Sequence, residues 1–162
     1  RVLFRSGSIL REVIAAANIL SEDFGVQADV WSCPSFNELK RDGDDCVRWN
    51  LMHPDQKPRI PHVTACLEKH AGPVVAATDY VKLFADQIRA YVGRNYHVLG
   101  TDGFGRSDTR ASLRRHFEVN RYYVTVAALK TLADEGTIPA KTVKSAIRKY
   151  KLDPEKPNPL HV

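Results

Sequence analysis

The stretch Gly72-Pro73-Val74-Val75-Ala76-Ala77-Thr78-Asp79-Tyr80-Val81 decides the fold class, because the hydrophobic period changes within it. Pro73 to Ala77 is an unbroken apolar run of strand length, the strongest strand in the chain. Beyond it Val81, Phe84, Ile88 and Tyr91 fall on one helical stripe, which Asp79 is expected to cap. A strand that passes at once into an amphipathic helix is the repeating unit of an α/β sheet.

The same alternation extends in both directions. Upstream, Val2-Leu3-Phe4 predicts a strand, and Gly7-Ser8 a turn with Ser8 as N-cap. The helix that follows carries Ile9, Leu10, Val13, Ile14, Ala17 and Leu20 on one stripe, and Gly25 suits its end. Val26 to Cys33 alternates as a second strand, stopped by Pro34. Ser35 and Glu38 fit a capping box for a short helix from Phe36 to Lys40. Asp42-Gly43-Asp44-Asp45 is expected to break that helix before a second one from Asp45 to Met52. His53 to Pro61 holds three prolines and predicts an ordered surface connection, followed by a helix from His62 to His70.

Downstream, Tyr96 to Leu99 is a fourth strand, and three helices follow the loop after it. The middle one, Arg121 to Glu135, is apolar on more than one face and should be well buried. The last is expected from Lys141 to Tyr150, and the tail Asp153 to Val162, with three prolines, is expected to be extended.

Bulk properties narrow the function classes. At 162 residues and 43% hydrophobic, the chain can bury a sizeable core as one folded unit without staples or metal. Its apolar runs fall far short of the roughly 20 residues that cross a bilayer, which excludes a helical membrane span. Lys and Arg total 24 against 19 Asp and Glu, a mildly basic +5 that is interspersed along the chain. That pattern reads as a solvated surface, with nucleic acid a remote partner. Cys33, Cys46 and Cys66 form no C-x-x-C pair, which points to a reducing compartment. No secretory signal opens the chain and it starts at Arg1, so a piece of something longer is expected.

The candidate chemistry is sparse. Gly100, Gly103 and Gly105 give G-x-x-G-x-G, neither a dinucleotide nor a P-loop fingerprint, so a structural turn capped into the next helix by Ser107 or Asp108 is the better reading. His62, Cys66 and His70 share one side of a helix but span two turns, too far apart for one ion, and read as a half-buried cysteine between surface histidines. The Asp42, Asp44, Asp45 spacing lacks the glycine and bidentate glutamate of a calcium loop and reads as a solvated turn. No G-x-S-x-G elbow is present. The one basic concentration is Arg106, Arg110, Arg114, Arg115 and His116, with Arg110 and Arg114 at i, i+4; it reads as a salt-bridged protein interface.

The string Gly100-Thr-Asp-Gly-Phe-Gly-Arg-Ser-Asp-Thr-Arg110, with Ser112-Leu-Arg-Arg-His-Phe-Glu-Val119 and Tyr122-Tyr-Val-Thr-Val-Ala-Ala-Leu129, closely resembles the C-terminal end of the homodimeric bacterial pyruvate dehydrogenase decarboxylating component. Gly7-Ser-Ile-Leu-Arg11, Asp29-Val-Trp-Ser32, Ser35-Phe-Asn-Glu-Leu39, Arg48-Trp-Asn50, Ala77-Thr-Asp-Tyr80 and Lys82-Leu-Phe-Ala85 follow the same family in the same order. One stretch departs: Phe4-Arg5-Ser6 stands where the family typically has Leu-Gly-Ser. Arg1 to Ser6 also equals a translation of a common sequencing-adapter end, so residues 1–6 are expected to be a foreign flank.

The resemblance implies a transketolase C-terminal-like domain over residues 7–152, with 153–162 as a proline-rich tail. Its fold would be a three-layer α/β/α sandwich on a mostly parallel five-stranded sheet with one antiparallel strand. The parent would be a cytoplasmic homodimer that uses thiamine diphosphate and Mg2+ to decarboxylate pyruvate and passes the acetyl group to the dihydrolipoyl acetyltransferase component. The resemblance places the coenzyme and metal on preceding domains, so no catalytic, cofactor-binding or metal-binding residue is assigned here, and the isolated chain is expected to be inactive and to bind neither. The expected role is to pack on the preceding domains and on the second subunit. The candidate contact loop is Asp102, Gly103, Phe104, Gly105, Arg106, Ser107, Asp108 and Arg110. The alternative is a free-standing flavodoxin-like ligand-binding module.

Overall fold

The computed structural model describes residues 1–162. Four strands, β1 (Val2–Arg5), β2 (Asp29–Ser32), β3 (Val74–Ala77) and β4 (Tyr96–Leu99), form a sheet in the order β2-β1-β3-β4. All three pairings are parallel. The sheet therefore has four strands and no antiparallel one, against the five expected. The tail, the last segment free to add a strand, carries Pro154, Pro157 and Pro159, which have no N–H to give a ladder.

Helices fill both faces. After β1 and a 3-10 turn at Gly7–Ile9 come α1 (Leu10–Phe24), then after β2 the pair α2 (Phe36–Met52) and α3 (His62–Leu67). Between β3 and β4 lie α4 (Lys82–Asp86) and α5 (Arg89–Val92); α6 (Arg110–His116), α7 (Arg121–Asp134) and α8 (Ala140–Lys149) complete the chain. Strand residues alternate between the layers as a period of two requires. Leu3, Val75 and Leu99 pack with Val13, Leu20, Val124 and Leu129 on the α1/α7/α8 side. Val2, Phe4, Val74, Ala76 and Val98 pack with Phe36, Leu67, Ile88 and Val92 on the α2 to α5 side.

Several local expectations hold for the reasons given. Gly25 ends α1 in the left-handed region, φ 64°, and Ser35 caps α2 by accepting the Glu38 N–H at 3.2 Å. The many-sided helix α7 is buried along Val124, Thr125, Ala128, Leu129 and Leu132, capped by Asn120. The 53–61 connection is ordered: Asn50 exchanges hydrogen bonds with the Arg59 backbone at 2.8 and 2.9 Å, and the Arg59 guanidinium lies 4.2 Å from the Trp49 ring centre.

Other expectations fail, each because a distant residue decides the outcome. No break occurs at Asp42 to Asp45; α2 runs through them because Gly43, buried in the helix, leaves space that the Tyr91 ring occupies, and a Cβ there would strike that ring. The expected helix over Val81 to Tyr91 is divided into α4 and α5, and α3 stops at Leu67, short of His70. Ser8 makes no cap to α1. Asp79 does not cap α4, since its carboxylate accepts the Ser8 N–H at 3.0 Å; Asp102 takes the Lys82 N–H instead, at 2.8 Å. Thr109, rather than Ser107 or Asp108, caps α6 by accepting from Ser112 N–H. The tail is not extended: Lys156 donates to the His116 carbonyl and Glu118, and a 3-10 turn at Pro159–His161 buries Pro159.

Candidate interface site

The chain passes from β1 to β2 on one side and from β3 to β4 on the other, so the sheet's topological switch lies between β1 and β3. In such sheets the crevice beyond the carboxyl ends of the strands is the natural place for a site. Here the Ser6 and Thr78 hydroxyls meet at 2.9 Å, buried, and Gly7 turns the chain away with φ 63°. A side chain at position 7 would collide with the Asp79 carboxylate, so only glycine lets β1 turn beside the end of β3.

The 100–108 loop forms one wall of this crevice and has two parts. Gly100 and Thr101 are clamped to the end of β3: Thr101 N–H donates to Tyr80 O at 2.8 Å, and a Cβ on Gly100 would lie 2.7 Å from that same oxygen. Asp102 is spent on capping α4, and Gly103, φ 111°, lets the backbone pass against the Pro159 carbonyl of the tail. The remainder faces solvent. Phe104 is 75% exposed, Gly105 has open space around it, and Arg106, Ser107 and Arg110 are exposed, while Asp108 accepts the Thr109 N–H. The structure thus brings Gly103, Gly105, Arg106 and Arg110 around a crevice of about 330 Å3 with Ser8 and Asp79, and assigns Asp102 a purely local task.

The residue that organises this corner was missed. Glu12, its side chain 8% exposed, accepts from Arg114 Nη1 at 3.1 Å, Arg121 Nη2 at 3.0 Å, Arg121 Nε at 3.0 Å and the Arg121 backbone N–H at 2.9 Å. Arg114 also donates to the Ser8 carbonyl at 3.0 Å, so α1, α6 and α7 are tied together. Burial pushes the Glu12 carboxyl up, but the Arg121 hydrogen bonds and the charges of both arginines outweigh it and hold it below the ordinary range. The available signal is a glutamate directly before Val13 and Ile14, near the start of the α1 stripe.

The other clusters disperse. His62 Nε2 lies 3.4 Å from Cys66 Sγ, but His70 turns to Asp29 at 3.0 Å. Cys33 is buried beyond β2, and burial pushes its thiol up to about 11 despite a hydrogen bond from the Ser35 backbone. Asp42 accepts the His62 N–H at 2.6 Å, and Asp44 is engaged by Lys40 and the Tyr91 hydroxyl. The Gly43-Asp44 pair is thus a helical segment with its carboxylate occupied, and no three His, Cys, Asp or Glu side chains gather where they could hold an ion.

A family model described as the transketolase-like TK C-terminal domain matches residues 1–120. The chain is similar to the pyruvate dehydrogenase E1 component of Cupriavidus necator, 61% identical over 160 residues that cover 99% of this chain and 18% of that protein. The corresponding proteins of Pseudomonas aeruginosa and Escherichia coli K12 are 59% and 55% identical, each with 18% of its length covered. Among solved structures, a split-gene transketolase in its inactive beta4 tetramer superposes with a TM-score of 0.55 at 16% identity, over 82% of this chain and 39% of that one. That likeness carries the fold alone.

Proposed function

This chain belongs to the family of transketolase-like C-terminal domains, and from that membership we propose that it is the C-terminal, structural part of a pyruvate dehydrogenase E1 component. The observation that carries the proposal is the near-complete match of this chain to under a fifth of each relative. The parent decarboxylates pyruvate with thiamine diphosphate and Mg2+, both held by preceding domains, and delivers the acetyl group to the dihydrolipoyl acetyltransferase. It does so as a cytoplasmic homodimer. No helix here is long and apolar enough to cross a membrane.

The domain's own work in this reading is positional. A site shared between domains and subunits depends on placement, and misplacements of about 1 Å can cost on the order of a hundredfold in rate. The loop Asp102 to Arg110 offers contact through its exposed part, Phe104 to Arg106, because its base is fixed by Gly100, Thr101 and the tail. Residues 7–152 form the domain and 153–162 its folded-back tail, with 1–6 a foreign flank occupying the place of a native strand; finding those six codons in the intact gene would refute the last point.

The test is a graft of residues 7–162 into the Cupriavidus necator relative in place of its own segment, compared with the same protein lacking that segment. The graft should sediment as a dimer and turn over pyruvate, and the deletion should lose both. A deletion that keeps full dimerisation and turnover would overturn the reading.

A further inference from the structure

We propose that Lys156 is a positioning residue: through it the tail 153–162 braces both ends of the segment from Gly103 to α6, and so sets the pose of the exposed tip Phe104 to Arg106. The proposal rests on the reading above, in which that tip makes the chain's outward contact.

At the far end of the segment the tail holds the close of α6. Helices commonly end on a left-handed glycine, but here Glu118 takes that conformation, φ 61°, which a Cβ disfavours. Lys156 Nζ sits against this turn, donating to the His116 carbonyl at 2.6 Å and to Glu118 Oε1 at 3.0 Å. One ammonium therefore satisfies a carbonyl of the last helical turn and pairs the carboxylate of the residue that closes it. The lysine side chain is only 23% exposed and lies 6.0 Å from the Tyr123 ring centre, so water screens the pair weakly. Among the chain's ion pairs, this one alone ties the tail to the rest of the fold.

At the near end the tail meets Gly103. Asn158 caps the 3-10 turn at Pro159–His161 by accepting the Leu160 N–H at 3.0 Å, and Pro159 is buried. The Pro159 carbonyl lies so close to the loop that a Cβ on Gly103 would fall 2.1 Å from it. Gly103, φ 111°, carries the backbone across the tail in a conformation that suits glycine. Between these anchors the tip has few neighbours of its own, since Phe104 is 75% exposed and Gly105 has open space around it. Its pose is inherited from its two ends, and one short tail spans both.

The proposal is tested by hydrogen exchange on the full-length graft of residues 7–162 in the Cupriavidus necator relative. Lys156→Met keeps the length of the side chain and removes its charge. Exchange should rise about tenfold across residues 103–116, as expected for loss of a hydrogen-bonded charge, and stay unchanged along α1 and α7. Lys156→Arg keeps a charged donor and should restore protection, which a side chain that only filled space would not require. As a second variant, ending the chain at Leu152 should loosen the same segment. Both loosened proteins should form a weaker dimer in sedimentation. Unmoved exchange at 103–116 in either variant, a rise shared by α1 and α7, no rescue by Lys156→Arg, or a dimer as tight as that of the unaltered graft would overturn the proposal. If any of these occurs while deletion of residues 7–162 abolishes dimerisation and turnover, the brace falls and the reading of the chain stands.

Discussion

Leu129 and Leu83 are the same side chain in the two helical layers, and they meet opposite surroundings. Leu129, on α7, is wholly buried between the sheet and α1, whereas Leu83, on α4, is 74% exposed. The contrast extends to the layers. The α1/α7/α8 face is built from long helices and leaves only Ile14 and Tyr122 among its large apolar residues in solvent. The α2 to α5 face, where the long α2 is followed by a proline-rich connection and three helices of only one to two turns, leaves Val47, Leu51, Met52, Ile60, Tyr80, Val81 and Leu83 exposed. Large apolar residues left in solvent in that number suit a face on which further protein packs, and the two faces thus contrast self-sufficient packing with packing that looks outward.

The sharpest way to break the comparison is to substitute both leucines, one by alanine and the other by aspartate. Leu129→Ala should destabilise the chain by about 3 kcal/mol, from lost transfer energy plus the cavity left behind, read as a lower midpoint in urea. Glu12→Gln comes next, at about 2 kcal/mol, because two arginines lose a charged acceptor while Arg121 keeps partial access to water. The same clamp sets an acid dependence. The folded carboxyl titrates below its ordinary 4.5, so its contribution is complete above that value and is lost as pH falls through the lowered one. Glu12→Gln should remove that part of the acid slope. Leu83→Asp should change the stability of this chain by less than about 0.5 kcal/mol, yet weaken dimerisation of the full-length graft in sedimentation; a large loss in the short chain would show that this face is not an outward one.

How much was legible follows the range of the interactions. The four strands, the Gly25 stop of α1, the Ser35 cap of α2 and the burial of α7 depend on neighbours within a few residues, and the sequence carries them. The course of α2 through Gly43 depends on Tyr91, and the capping of α4 on Asp102, because Asp79 is claimed by Ser8 far upstream. Nothing local to Asp79 announces that competition. At the candidate site, the arginine concentration was visible, but the Glu12 partner that freezes Arg114 and Arg121 lies about a hundred residues away in sequence. The loop's division into a fixed base and an exposed tip needed the tail, whose prolines suggested extension but whose Lys156 ties it back to His116 and Glu118.

The central claim, that this chain has one finished face and one made to be covered, is tested most directly by hydrogen exchange on the 162-residue chain and on the full-length graft side by side. Protection should rise in the graft at residues 47–60, 80–84 and 104–110 and stay unchanged along α7 and α8. Equal exchange in both proteins throughout those segments would contradict the claim.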